Sequence, residues 1–82
     1  DPFFSLTRFS LTMAQAGRAR VAIYDVAGRH VRTLLDAVYA AGPHLVEWDG
    51  RMDDGRDVAA GVYIVRASLN RELVTRRVVC LR

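Results

Sequence analysis

Asp49, Asp53, Asp54 and Asp57 fall within nine residues of the stretch WDGRMDDGRDVAAGVYIV, Trp48 to Val65. Carboxylates at that density suit a calcium loop, because calcium gathers about six to eight oxygen ligands. An EF-hand loop places oxygen ligands at its first, third and fifth positions and closes with a glutamate at its twelfth. Counted from Asp49, the third position is Arg51 and the twelfth is Ala60, so that pattern fails. Arg51 and Arg56 also put positive charge inside the loop, which opposes a dication. The remaining metal reading is a noncanonical calcium site made of Asp49, Asp53 and Asp57. A turn asks for less. Aspartate side chains accept hydrogen bonds from backbone amides two residues on. Gly50, Gly55 and Gly61 supply unusual dihedrals, and Asp-Asp-Gly suits a hairpin. Asp53 or Asp54 paired with Arg51 or Arg56 would add only about 0–1 kcal/mol at an exposed site. The turn is the better account.

Other chemistry has less to work with. His30 and His44 are the only histidines and Cys80 the only cysteine, with no His-x-x-x-His or Cys-x-x-Cys spacing, so zinc is unsupported. Cys80 can form no internal disulfide and reads as a small apolar residue of the last strand. Three serines lie in or beside strands, and nothing in the sequence assembles a nucleophile, histidine and carboxylate around them. No phosphate loop is present. No cofactor is expected. Trp48, Tyr24 and Tyr63 have the chemistry of a sugar-stacking face, as in a carbohydrate-binding accessory module, but alternation places Trp48 and Tyr63 with the core residues.

Every basic residue is arginine, and the formal charge is +3. Arg8, Arg18, Arg20, Arg29, Arg51, Arg66 and Arg76 are spread one or two per segment. They read as a solvated surface rather than the clustered basic stripe of a nucleic-acid binder. No run is long and apolar enough to span a membrane. An isolated domain of this kind is compatible with a monomer.

The elements around these residues are short and alternate with period two. In TRFSLT, Phe9 and Leu11 share a face opposite Arg8 and Ser10. In RARVAIYDV, Val21 and Ile23 lie opposite Arg20 and Ala22. In HLVEWDG, His44, Val46 and Trp48 share a face, and in GVYIVRASLN, Tyr63, Val65, Ala67 and Leu69 do. HVRTLLDAVYAAG is ambiguous, since Val31, Leu34, Leu35 and Val38 fit helical spacing. It is expected to be a short strand running into an irregular or one-turn helical connection, ended by Gly42-Pro43. The last segment, ELVTRRVVCLR, carries arginine and apolar residues on both faces, which predicts a bulge or an edge position. Asn70 suits the turn before it.

Six or seven such strands predict an all-β, two-sheet sandwich over residues 6–82, with residues 1–5 the end of a linker. The expected core is Phe9, Val21, Ile23, Val46, Trp48, Tyr63 and Val65. An 82-residue chain, 51% hydrophobic, makes one domain near the lower size limit. Its stability is expected to be on the order of 4–12 kcal/mol. Without an initiator methionine or signal peptide, the chain reads as part of a larger one.

Tyr24, Asp25, Gly28 and Arg29, then Gly42 and His44, then Trp48, Asp49 and Gly50, then Gly61, Val62 and Tyr63 carry a family resemblance. With Arg76, Arg77, Val78 and Val79 near the end, the chain resembles the FlgD-type Ig-like domain of the flagellar hook-capping protein. It is similar also to the C-terminal domains that end many type IX (Por) secreted bacterial proteins. Two features depart from that pattern. DPFFSL replaces the usual Asn-Pro-Phe-Asn-Pro opening, and LTMAQAG is longer than the usual link. The resemblance implies a β-sandwich appended to a secreted or cell-surface protein, without catalysis. Its partners would be protein: secretion and anchoring machinery for a sorting and attachment signal, or sibling subunits for an assembly module. The last strand is the expected contact, through Arg76, Arg77 and Arg82.

Overall fold

A computed structural model describes residues 2–3 and 6–81, with side chains from residue 6 onward. The described chain forms β1 (Pro2–Phe3), β2 (Thr7–Met13), β3 (Gly17–Asp25), β4 (His30–Tyr39), β5 (Gly42–Trp48), β6 (Gly61–Leu69) and β7 (Glu72–Cys80). A five-stranded sheet runs in the order β1-β7-β6-β3-β4, and β2 and β5 form a second, two-stranded sheet. All pairs are antiparallel except β1 with β7, where Pro2 and Phe3 lie beside Val79 and Cys80. Pro2–Phe3 therefore join the sheet, within the stretch read as the end of a linker.

The expected all-β sandwich is what forms. Alternation sends Val21 and Ile23 of β3, Val46 and Trp48 of β5, and Tyr63, Val65 and Ala67 of β6 into one buried cluster with Val58, Val78 and Cys80. Phe9 and Leu11 of β2 are half-buried and pack against it. The Trp48 and Tyr63 rings meet edge to face at 5.4 Å, a favoured aromatic geometry. Both polar tips are satisfied. The Trp48 indole N–H donates to the Arg51 carbonyl at 3.0 Å, and the Tyr63 hydroxyl donates to the Ala59 carbonyl at 2.6 Å.

β4 differs from the expected strand and irregular or helical connection. It is one continuous ten-residue strand. Its pairing with β3 slips twice, between Val21 and Ala22 and between Ile23 and Tyr24, so Leu34 and Val31 are extra residues with no partner on β3. Each bulge shifts the phase of alternation by one. Val31, Leu34 and Leu35 can thus all pack on the core, at a spacing that imitates a helix. Val38, the fourth member of the helical pattern, is 71% exposed. Gly42-Pro43 opens β5 rather than ending β4, and Pro43 pairs with Thr12. Proline is accommodated there because β5 is an edge strand.

β7 pairs with β6 without a register break from Leu69–Glu72 to Gly61–Cys80. Of the two alternatives for β7, the edge is the one that forms. Among the described residues, its far side is covered only where β1 meets Val79 and Cys80. At the β6–β7 turn Asn70 takes φ 55° and its N–H donates to the Arg18 carbonyl at 2.9 Å. Its side chain occupies the space that a Cβ on Gly17 would need.

Replacing Trp48 with alanine removes the largest buried side chain and an indole–carbonyl hydrogen bond. The expected cost is about 3–5 kcal/mol, a large share of the stability of so small a domain. Urea unfolding of the variant beside the parent measures it.

Candidate functional site

The aspartate-rich segment is a knitted turn. The Gly55 N–H donates to the Met52 carbonyl at 2.9 Å, and the Met52 N–H donates to the Arg56 carbonyl at 2.8 Å. Gly55 takes φ 89°, a conformation that L side chains rarely adopt. Arg51 and Asp57 form a bridge outside this turn, and the Val58 N–H donates to the Gly50 carbonyl. The β3–β4 turn is built the same way. The Gly28 N–H donates to the Asp25 carbonyl and the Asp25 N–H to the Arg29 carbonyl, both at 3.0 Å, with Gly28 at φ 87°. Each turn is a three-residue loop closed by a left-handed glycine and followed by arginine. Gly-Arg ends both, at 28–29 and 55–56, but it also occurs at 17–18 and 50–51, so the pair alone does not mark this turn.

The turn's carboxylates are occupied by the protein itself. Asp49 accepts from the Arg51 N–H at 3.1 Å and from the Arg32 guanidinium at 3.2 Å. Asp53 accepts from the Thr33 N–H at 3.0 Å, while its own N–H donates to the Val31 carbonyl at 3.1 Å. Arg32 Nε also lies 3.9 Å from Asp53 Oδ1. Asp57 pairs with Arg51 at 3.5 Å. Of the three residues weighed for calcium, Asp49 and Asp53 thus share one guanidinium and Asp57 faces another. No group of three or more metal-binding side chains occurs among the described residues. Arg32, in the ambiguous segment, was missed as a loop residue because only the bulged β4 brings it there.

Asp54 holds Arg56 through both its N–H, at 3.0 Å, and its Nε, at 2.8 Å. The Arg56 backbone N–H, against desolvation and with further help from the Arg56 side chain, lowers the Asp54 pKa below the ordinary 3.8. Asp25 is lowered likewise, first by the Arg29 N–H, with further help from the Arg29 side chain and the Ala27 N–H.

The remaining candidates are placed as follows. Trp48 and Tyr63 are interior and offer no sugar platform. Tyr24 lies on the outer face of the large sheet. His30 Nε2 is 2.8 Å from Thr33 Oγ1, but His30 Nδ1 is 3.7 Å from Asp53, too long for a hydrogen bond. Cys80 is a buried free thiol. A cavity of about 450 Å³ lies between the Ala14–Ala16 turn and the β6–β7 hairpin. Arg76 and Arg77 are exposed on opposite faces of β7, opposite Val65 and Ile64 respectively. Arg76 is on the core-facing side, where the two-stranded sheet leaves the margin of the five-stranded sheet uncovered. Arg82 lies outside the described residues.

Residues 5–72 match the FlgD Ig-like domain. The chain belongs to that family. Two solved structures share the fold. FlgD from P. aeruginosa aligns with a TM-score of 0.68 and 24% identity, over 88% of this chain and 58% of FlgD. Dimeric latent PorU from Porphyromonas gingivalis aligns with a TM-score of 0.76 and 18% identity, over 99% of this chain and 8% of PorU. No curated protein matches the chain. The aspartate turns lie within the FlgD Ig-like match, whereas all of β7 after Glu72 lies past its end. No helix is long and apolar enough to cross a membrane among the described residues.

Two outcomes are expected of the turns. Adding about 1 mM calcium, or a chelator, leaves the melting temperature unchanged, since a ligand that binds only the folded state must raise it. The second outcome concerns acid. Because the folded pKa values of Asp25 and Asp54 lie below the unfolded value, their contribution is complete above about pH 4 and fades as pH falls through the lowered values. Melting temperatures across a pH series should drop in that acid range, and Asp25→Asn with Asp54→Asn should shrink the drop.

Proposed function

We propose that this FlgD Ig-like domain is a non-catalytic module of a larger secreted bacterial protein. It serves as the folded sorting and attachment signal for type IX export to the cell surface. The observation that carries this reading is the open margin of β7. From Glu72 to Arg77 every side chain is exposed, and beyond β1 the strand's outer edge has no partner among the described residues. A recognition apparatus can meet that margin by main-chain pairing and can read Arg76 and Arg77 from its two faces. The sequence resemblance to type IX C-terminal domains and the PorU likeness over nearly the whole chain support the same reading. The secreted or surface location follows from it.

A second reading, assembly with sibling subunits as in a hook-capping protein, is favoured by the family match itself. The two separate by experiment. The domain is fused behind a signal peptide and a neutral reporter in a type IX-competent host. Under the sorting reading the reporter reaches the cell surface. The Arg76→Gln and Arg77→Gln variants should fold within about 0.5 kcal/mol of the parent yet be exported less well. A reporter that stays in the periplasm with the intact domain overturns sorting in favour of assembly.

A further inference from the structure

The arginines that look scattered in the sequence are sorted by strand alternation. On the outer face of the five-stranded sheet, Ala22 lies opposite Arg66, Tyr24 opposite Ile64, and Arg20 opposite Ser68. On the next strand, Thr75 lies opposite Arg66 and Arg77 opposite Ile64. Arg18, Arg20, Arg66 and Arg77 therefore share one face. Among the described residues the sheet strands bring one carboxylate to it, Asp36, opposite Arg20 at the β4 margin, and the turn brings Asp53 to the same margin, 3.7 Å from His30 and close enough to act on Arg20. Elsewhere Arg8, Arg29, Arg32, Arg51 and Arg56 each meet an aspartate or glutamate. Asp36 is held at the margin by Arg18 at 2.7 Å and Arg20 at 3.8 Å, so the centre of the face has no negative charge from the described strands.

The face is also ordered. The Arg66 guanidinium lies over the Tyr24 ring, 5.4 Å from its centre. The Tyr24 hydroxyl accepts a hydrogen bond from Arg20 at 3.3 Å, which raises the pKa of that arginine. His30 meets the Tyr24 ring edge to face at 5.6 Å. Ala22 is wholly inaccessible although it points outward, so longer neighbouring side chains lie down over it. A guanidinium attracted to a ring keeps N–H donors free to hold a carboxylate. Arg66 has no such partner among the described residues.

We propose that this face docks an acidic, partly apolar segment of a partner protein, with Arg66 as its central contact. Exposed Leu73 and half-buried Ile64 lie on the same face, giving the mixture of arginine, tyrosine and aliphatic surface typical of protein interfaces. A single-stranded nucleic acid would need an open aromatic face for its bases, and the Tyr24 face is covered by Arg66. The proposal shares Arg77 with the export reading but centres on Arg66 of β6, whose loss that reading does not expect to matter.

The test is fluorescence anisotropy with a labelled peptide of alternating glutamate and leucine, at low and physiological salt, beside a labelled oligothymidine of equal length. The peptide is expected to bind more tightly than the oligonucleotide. Arg66→Gln should weaken it at least about tenfold, the loss of one charge-assisted hydrogen bond or more. Arg8→Gln, which removes the same charge from the two-stranded sheet, should change it less than about twofold. Amide shifts on titration should cluster on β3, β6 and β7, a readout independent of any variant. Equal loss in both variants, shifts centred on the aspartate turns, tighter binding of the oligonucleotide, or no binding at low salt would each overturn the proposal.

Discussion

Trp48 joins the core between the sheets to the aspartate-rich turn. Its ring fills the space between the sheets against Tyr63, while its N–H holds the Arg51 carbonyl at the start of the aspartate-rich turn. Tyr63 does the reciprocal work at the far end, holding the Ala59 carbonyl. The turn is thus pinned at both ends by aromatics whose rings touch each other inside the core. Asp53 then reaches outward from the pinned turn and binds the β4 backbone at Val31 and Thr33, where the bulges have loosened the ladder. Core, turn and bulged strand are bonded into one connected unit.

That unit explains why so acidic a segment is structural. Its carboxylates are spent on backbone amides and on Arg32, Arg51 and Arg56, which confines them to one end of the sandwich. Arg18, Arg20, Arg66 and Arg77 are left to the outer face of the large sheet. A small domain with few acidic residues can in this way keep a stable end and a charged face without a longer chain.

Much of this was legible from period-two alternation, which assigns Trp48, Val46, Tyr63 and Val65 to the interior because an antiparallel strand with one wet face has no other arrangement. Arginines on both faces of β7 narrowed it to a bulge or an edge, and the unbroken pairing with β6 decides for the edge. β4 could not be read, because bulges change the phase of alternation and no residue type marks them. The basic face was hidden for another reason. Arg20, Arg66 and Arg77 lie far apart in the chain, and only the strand order β7-β6-β3 makes them neighbours. Pairing order is a property of the whole sheet, and the sequence of any one strand does not contain it.

The contrast between the two kinds of ladder bears on how such a domain can change over time. β6 and β7 are matched residue for residue along their full length, so one inserted or deleted residue in either would turn Arg66 or Arg77 inward and Val65 or Val78 outward. β4 already carries two supernumerary residues, and the turn backbone is bonded across one of them. Length variation among descendants of this chain should therefore gather in β4 and its flanking turns, while β6 and β7 diverge by substitution at constant length.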